Sequence, residues 1–380
     1  MIRLPSASTR PFRGARPCFA AVAVVLLAAA RPVAEFVPDP DGPGPLPWRV
    51  PGRLAFTVDA AAFPDSAGSR LEVYVRVPQR TLADLGRDEQ GRAHFRLEAV
   101  LQGRTGGGRG GRASQDFTLA PGDSGGELGK VVLLPFRTRP GVHRLEVRIE
   151  DPLSEARRVG KLGRRVTTHQ SVKGDFLVPG PQSGREISDI EFAWSAGLAP
   201  SESAFDAGTR RVLPNPERLY GLLQPELVAA VTARGPAGTV EPWLWTAEVH
   251  DAGGGVVAQF DSSLAADERA TATFHADVSS LPSGSYTLEV RMWQEGDAGA
   301  LVRRAPFSIA WEPESWRRDP GSAVDEVHLL FDRGEEERFI RMPPGEREAY
   351  LAAWWRERDP SPDTAENEQH ATFRQRLDFA

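Results

Sequence analysis

Residues Arg70–Pro78 read RLEVYVRVP, with Leu71, Val73, Val75 and Val77 alternating with polar side chains. Successive side chains leave a strand on opposite sides, so a period of two marks a strand buried on one face. The pattern returns at Phe95, Leu97, Ala99 and Leu101, and again at Leu145, Val147 and Ile149. Turn residues separate these runs about every ten positions, which predicts an antiparallel sandwich or barrel rather than a helical bundle. Composition agrees: 37 glycines and 32 prolines exceed the average share of turn residues.

A second set of alternating segments begins near Ser188, including DIEFAW, ELVAAVTA, WLWTAEVHD, ATATFHADV and PFSIAW. The two sets echo each other. PGVHRLEVRIED (Pro140–Asp151) aligns without gaps on SGSYTLEVRMWQ (Ser283–Gln294), sharing the glycine and Leu-Glu-Val-Arg. A glycine turn entering an alternating strand suits a late strand of an immunoglobulin-like sandwich, so two similar sandwiches are expected. A length of 380 residues also exceeds one ordinary core. The expected divisions are a Pro-rich linker over 35–51, sandwiches over 52–178 and 186–312, and a helical region over 320–380. The sandwich boundary is placed in the Pro- and Gly-rich stretch Asp175–Glu186.

The N-terminus follows another logic. Arg3, Arg10, Arg13 and Arg16 precede any acid, and Phe19–Ala30 is an unbroken apolar run. Twelve residues are too few to cross roughly 30 Å of hydrocarbon as a helix but suit the centre of a signal peptide. Residues 1–34 are therefore read as a signal peptide cleaved near Ala30 or Ala34, with an uncleaved anchor as the alternative. The expected location is periplasmic or extracellular, with no membrane span after cleavage. Cys18, the sole cysteine, precedes the apolar run, so neither lipidation nor a disulfide is expected in the mature chain.

Patterns for chemistry are sparse. No HExxH, G-x-S-x-G or Walker A sequence occurs, and the seven histidines are scattered without ligand spacing. No catalytic residue, metal or cofactor is predicted. The net charge of −6 gives no basis for nucleic-acid binding. The Gly-rich stretch Gly103–Arg112 lies between strand-like segments and reads as a hairpin loop, not a phosphate cradle, which would open a helix. Trp243 and Trp245 stand two apart on one strand face. Such a pair can form a sugar-stacking platform, or it can be core.

After Trp311 the period turns helical. Val324, Val327 and Leu330 or Phe331 share a face, Pro343-Pro344-Gly345 breaks the helix, and a second helix fits Glu346–Glu357. Thr364 is the expected cap of a third, along which Phe373, Leu377 and Ala380 align. The acids Asp359, Asp363, Glu366 and Glu368 suit a turn and a helix start, where carboxylates oppose the dipole.

This C-terminal segment resembles the upstream part of the GWxTD-domain family, exported bacterial proteins of unknown biochemical role. The likeness rests on Trp354-Trp355, on the stretch with Asp359, Pro360, Pro362, Thr364, Asn367 and Glu368, and on Phe373, Arg376 and Ala380. RLEVYVRVP and ISDIEFA are similar to its sandwich region. The family's Gly-Trp-x-Thr-Asp motif is absent, so the resemblance implies either a piece of a longer protein, which is the expectation here, or a variant that lost the motif-bearing half. The expected function is a non-catalytic interaction or structural protein of the bacterial envelope, its partner a protein or an envelope polymer. The alternatives are an enzyme completed by a C-terminal part, using Asp359, Asn367, Glu368 or Arg376, and a carbohydrate-binding module.

Overall fold

The computed structural model describes residues 42–311 and 327–379, apart from positions 66–67, 105–109, 124, 126–127, 155–156, 160–163, 167, 182–183, 199–205, 208–209, 222–223, 237, 239–240, 266, 298, 343, 363 and 365–366. The expected signal peptide lies outside the described residues. Pro38–Ala380 forms one compact unit.

Its first half holds β1 (Trp48–Val50), β2 (Phe56–Asp65), β3 (Gly68–Val77), β4 (Ala93–Gly103), β5 (Gly111–Leu119), β6 (Lys130–Thr138), β7 (Gly141–Asp151), the small hairpin β8 (Arg157–Val159) and β9 (Arg164–Val166), and β10 (Thr168–Val178). They form two facing sheets of order β1-β2-β3-β6 and β10-β7-β4-β5. The next half adds β11 (Glu186–Ile187), β12 (Glu191–Leu198), β13 (Asp206–Ala207), β14 (Arg210–Pro214), β15 (Leu219–Gly221), β16 (Glu226–Arg234), β17 (Trp243–His250), β18 (Val256–Leu264), β19 (Arg269–Asp277), β20 (Gly284–Gln294) and β21 (Leu301–Ala310). Here β11-β16-β12-β14-β13, with β19 on β16, faces β15-β21-β20-β17-β18.

Both halves share one plan. Of seven principal strands, the first, second and fifth share one sheet, and the third, fourth, sixth and seventh share the other. The protein is mainly β, two tandem immunoglobulin-like sandwiches followed by short C-terminal helices. The sequence echo falls on the sixth strand of each, β7 and β20. At its start His143 Nε2 donates to the carbonyl of Arg139 (2.8 Å), and at the aligned position the Tyr286 hydroxyl donates to that of Pro282 (2.7 Å). Each ties the strand entry to the backbone four residues upstream, as the tyrosine corner of such sandwiches does.

Alternation explains the cores. Phe95, Leu97, Ala99 and Leu101 of β4 are buried against Leu145, Val147 and Ile149 of β7. β2 breaks the rule: FTVDAAAF is buried along its length because both faces are covered. Its inner face joins the first core and its outer face meets the second sandwich. Across that junction Arg218 Nη2 and Nε bond the two oxygens of Asp59 at 2.6 and 2.8 Å, with both side chains under 10% exposed. Arg76 pairs with Glu217, and the Tyr74 hydroxyl lies 2.8 Å from Glu191 and 2.6 Å from Glu72. Asp189 N–H donates to the Ala62 carbonyl, and Ala62 N–H donates back to the Asp189 carboxylate. Arg218 holds φ 49°, a left-handed backbone unusual for a side-chain-bearing residue.

Two expectations need correction. The linker read to Pro51 ends as an ordered strand: β1 pairs with β2, and Trp48 is 1% exposed within the first core. Proline content hid it, since one large apolar side chain suffices to seat a short strand. The helix expected to run on to Pro343 is interrupted at Asp332. Its carboxylate accepts from Gly334 and Glu335 N–H and starts a new helix, Arg333–Arg341.

The helix Pro344–Glu357 then docks on the second sandwich. A side chain at Gly345 has no room against the carbonyls of Ser279 and Leu281. Glu348 accepts from the Ser283 N–H (3.1 Å) and hydroxyl. The last helix is Glu368–Phe379. Among the described residues no helix is long and apolar enough to cross a membrane.

Candidate functional site

In β20, Tyr286, Leu288, Val290 and Met292 point into the second core, so Glu289, Arg291 and Trp293 face outward. In β17, Trp243, Trp245, Ala247 and Val249 are inward, leaving Thr246, Glu248 and His250 outside. Register lays these side by side: Leu244 opposes Trp293, Thr246 opposes Arg291, and Glu248 opposes Glu289. From β18, Gln259 stands beside Glu248.

Two features share this outer face. The first is charged. Glu289 is 2% exposed although, among the described residues, no sheet packs over it, because Arg291 and Arg304 close on its carboxylate. Burial works to raise its pKa, but the hydrogen bonds and charges of the two arginines hold it below the ordinary carboxylate range. His250 Nε2 lies 3.3 Å from Glu248, and a ligand atom from each of Glu248, His250 and Glu289 falls within 4.8 Å of the others. A cation there has to displace two guanidiniums from Glu289, so the cluster is an ion-pair network first.

The second feature is a groove of about 390 Å³ bordered by Thr246, Glu248, Gln259, Arg291, Trp293 and Asp297. Asp297 is fixed, accepting from the Gln294 N–H (2.6 Å) and pairing with Arg185. Trp293 is half-buried and, among the described residues, stacks on no ring and donates no hydrogen bond from its indole. The Thr246 hydroxyl and the Gln259 amide also have no hydrogen-bond partner among the described residues. The groove thus combines a tryptophan face with spare donors and acceptors on a rigid sheet.

The residues singled out from sequence lie elsewhere. Trp243 and Trp245 are 0% and 7% exposed, so they form no platform. Trp243 donates to the Asp267 carbonyl (3.0 Å), and the Trp245 ring lies 6.0 Å from Phe274. Their strand presents its tryptophans to the core because the opposite sheet covers that face. Trp293 sits one strand away with opposite parity, and MWQ after the alternation of LEVR already placed it outward.

The C-terminal residues do come together, as a packed knot. Trp355 stacks on His370 (4.3 Å between centroids) and meets Phe373 (5.4 Å), while Trp354 packs on Phe331. Asn367 takes the capping role expected of Thr364: its Oδ1 accepts from His370 N–H, and its amide donates to the Trp355 carbonyl (2.6 Å). Thr364 instead bonds the Ser361 carbonyl and Glu368. Asp359 accepts from Ser361 N–H, Pro360 and Pro362 are exposed in the turn, and Arg376 is exposed on the last helix. Asp363 and Glu366 lie outside the described residues. Within the Gly-rich stretch, β4 and β5 pair as a hairpin, and positions 105–109 lie outside the described residues.

No protein-family model matches the chain, and no curated protein does. Among solved structures it is similar to a DUF3823 family protein from Bacteroides ovatus, at 10% identity over 60% of this chain and 92% of that one, TM-score 0.21. It is also similar to the calcium-binding domain CBD12 of CALX1.1, at 10% identity over 74% and 87%, TM-score 0.16. A family 123 glycoside hydrolase from Clostridium perfringens matches at 8% identity over 32% of this chain, TM-score 0.21, and the chain spans 29% of its length. Likenesses this distant say nothing of ligand or activity.

Proposed function

We propose that the protein is an exported, non-catalytic interaction protein of a bacterial envelope, with the outer face of β18-β17-β20-β21 as its contact surface. The observation that carries this reading is the groove beside Trp293. It offers an aromatic face and unused hydrogen-bonding groups on strands held rigid by a packed core. The buried Asp59–Arg218 pair supports it, because it holds the two sandwiches as one body that presents this surface in a fixed way. Export rests on the arginine-led apolar run Phe19–Ala30. The GWxTD resemblance of the C-terminal segment belongs to the same reading. The enzymatic alternative loses support from the knot, where Asn367 and Asp359 use their polar atoms on backbone groups.

Expression of the full chain with a C-terminal tag in a Gram-negative host tests export. The expected product is shortened by roughly thirty residues and found outside the cytoplasm. Leu26→Arg in the apolar run is expected to leave an unprocessed cytoplasmic chain. A wild-type chain that stays cytoplasmic at full length overturns the reading.

A further inference from the structure

Resting on that surface as the contact face, we infer that the groove binds a short run of neutral hexopyranosyl units, with one ring's CH face on Trp293 beside Thr246 and a following ring's hydroxyls on Gln259 and Glu248. Trp293 lies near the end of β20, opposite Leu244 of β17 and one residue past the last pair with β21, Met292–Leu301. The outer face at Trp293 and along β17 is made of side chains, so a ligand lying on that face is met mainly by them. A peptide adding as a strand at the β18 edge lies two strands from Trp293 and leaves it uncovered.

The indole offers a negative π face, which attracts the polarised C–H groups of a pyranose, and an N–H with no partner. Along the groove stand a hydroxyl, an amide and a carboxylate, the mixture of donors and acceptors that reads a ring of hydroxyls. Thr246 is the diagonal neighbour of Trp293, while Glu248 and Gln259 stand four residues further along, about 14 Å at ~3.4 Å per residue, so the groove spans two or three sugar rings. A groove of about 390 Å³ is at the small end of ligand sites.

Charge decides the class of sugar. Arg291 is held by Glu289 and lies 4.0 Å from Glu248, and Asp297 is held by Arg185. Each charge has its counter-charge, which leaves no net field to select an anionic or cationic ligand. The units can come from an insoluble polysaccharide or a soluble oligosaccharide, since both present the same face.

The test uses the purified chain in native gels containing dextran, galactomannan, hydroxyethylcellulose or the anionic polygalacturonate. Sedimentation with cellulose and with peptidoglycan sacculi covers the insoluble source. Retention by at least one neutral polymer is expected. Trp293→Ala should weaken it at least about tenfold, and Gln259→Ala about threefold to tenfold. Leu177→Ala, on the first sandwich, should change nothing. Gln259 is exposed, so its variant tests the groove even if Trp293→Ala does not fold. Retention by no neutral polymer, retention on polygalacturonate alone, or equal retention by wild type and both groove variants overturns the assignment. Because the assay uses purified chain, failure here is distinguishable from failure of export.

Discussion

The sixth strands of the two sandwiches, β7 and β20, start from the same Leu-Glu-Val-Arg and end in different surfaces. Their inward residues do equal work: Leu145 and Leu288, Val147 and Val290, and Ile149 and Met292 are all fully buried. His143 and Tyr286 differ in chemistry yet make the same corner bond. Outward, the pair diverges. Glu146 faces Lys173 across the sheet and is 43% exposed, whereas Glu289 faces Arg304 and is sealed. Glu150 of the first sandwich aligns with Trp293 of the second. The core side of a strand is held by packing, and the solvent side is free to acquire a site.

The sandwiches are two copies of one plan, and they differ most where they meet. Asp59 and Arg218 are both buried there, each the other's counter-charge. Arg218→Ala leaves Asp59 buried without its counter-charge, with only the Ala60 N–H still donating to it (2.8 Å), and removing one member of such a pair costs about 3–5 kcal/mol. Urea unfolding followed by circular dichroism and tryptophan fluorescence should show that loss. A change under about 1 kcal/mol means the pair does not hold the junction.

A smaller effect separates the halves by pH. Asp175 of β10 pairs in register with Arg144 of β7, with oxygens at 2.6 and 2.9 Å. The aligned position in the second sandwich is Thr287, opposite Pro306, so no ion pair forms there. The Arg144 hydrogen bonds hold the Asp175 carboxyl below its ordinary value, against the upward pull of burial. In acid the unfolded chain therefore takes up this proton before the folded chain does. The stabilisation is full above the ordinary carboxylate pKa near 4 and lost as pH falls through the folded value. Asp175→Asn should cost about 1.5–3 kcal/mol at pH 7, and that difference should shrink as pH falls below the ordinary carboxylate range. A cost that does not change with pH contradicts the charge-based account.

Much of this was legible in the sequence, because period-two alternation reports a covered face. It located the strands, their doubling and the helical end. It failed wherever burial came from a second body. FTVDAAAF shows no clean alternation because the other sandwich covers its outer face, and the partners of Asp59 lie about 160 residues away. Trp48 was lost among prolines. Thr364 and Asn367 are both good caps by type, and only the position of the Trp355 carbonyl selects Asn367. At the groove the parity of Trp293 was readable, but its unpartnered indole was not, since that depends on what neighbouring strands leave open.

The finest form of the comparison swaps one atom at the shared glutamate. Glu289→Gln keeps the size of the side chain and removes the charge that Arg291 and Arg304 close upon. Both arginines are well exposed, at 46% and 67%, so they can turn to water instead of remaining buried and unpaired. The loss is then the net value of charge-assisted hydrogen bonds at a sealed carboxylate, about 1–2 kcal/mol. Glu146→Gln breaks one exposed pair with Lys173 at 3.6 Å and should stay within about 0.5 kcal/mol. The Glu289 pKa is lowered in the fold, so its larger effect should fade as pH falls below the ordinary carboxylate range. Thermal or urea unfolding of both variants at pH 7 and pH 3 gives the four numbers needed. Equal costs at pH 7 mean that the sealed and open glutamates are energetically alike, and that the divergence of the two outer faces has no consequence for stability.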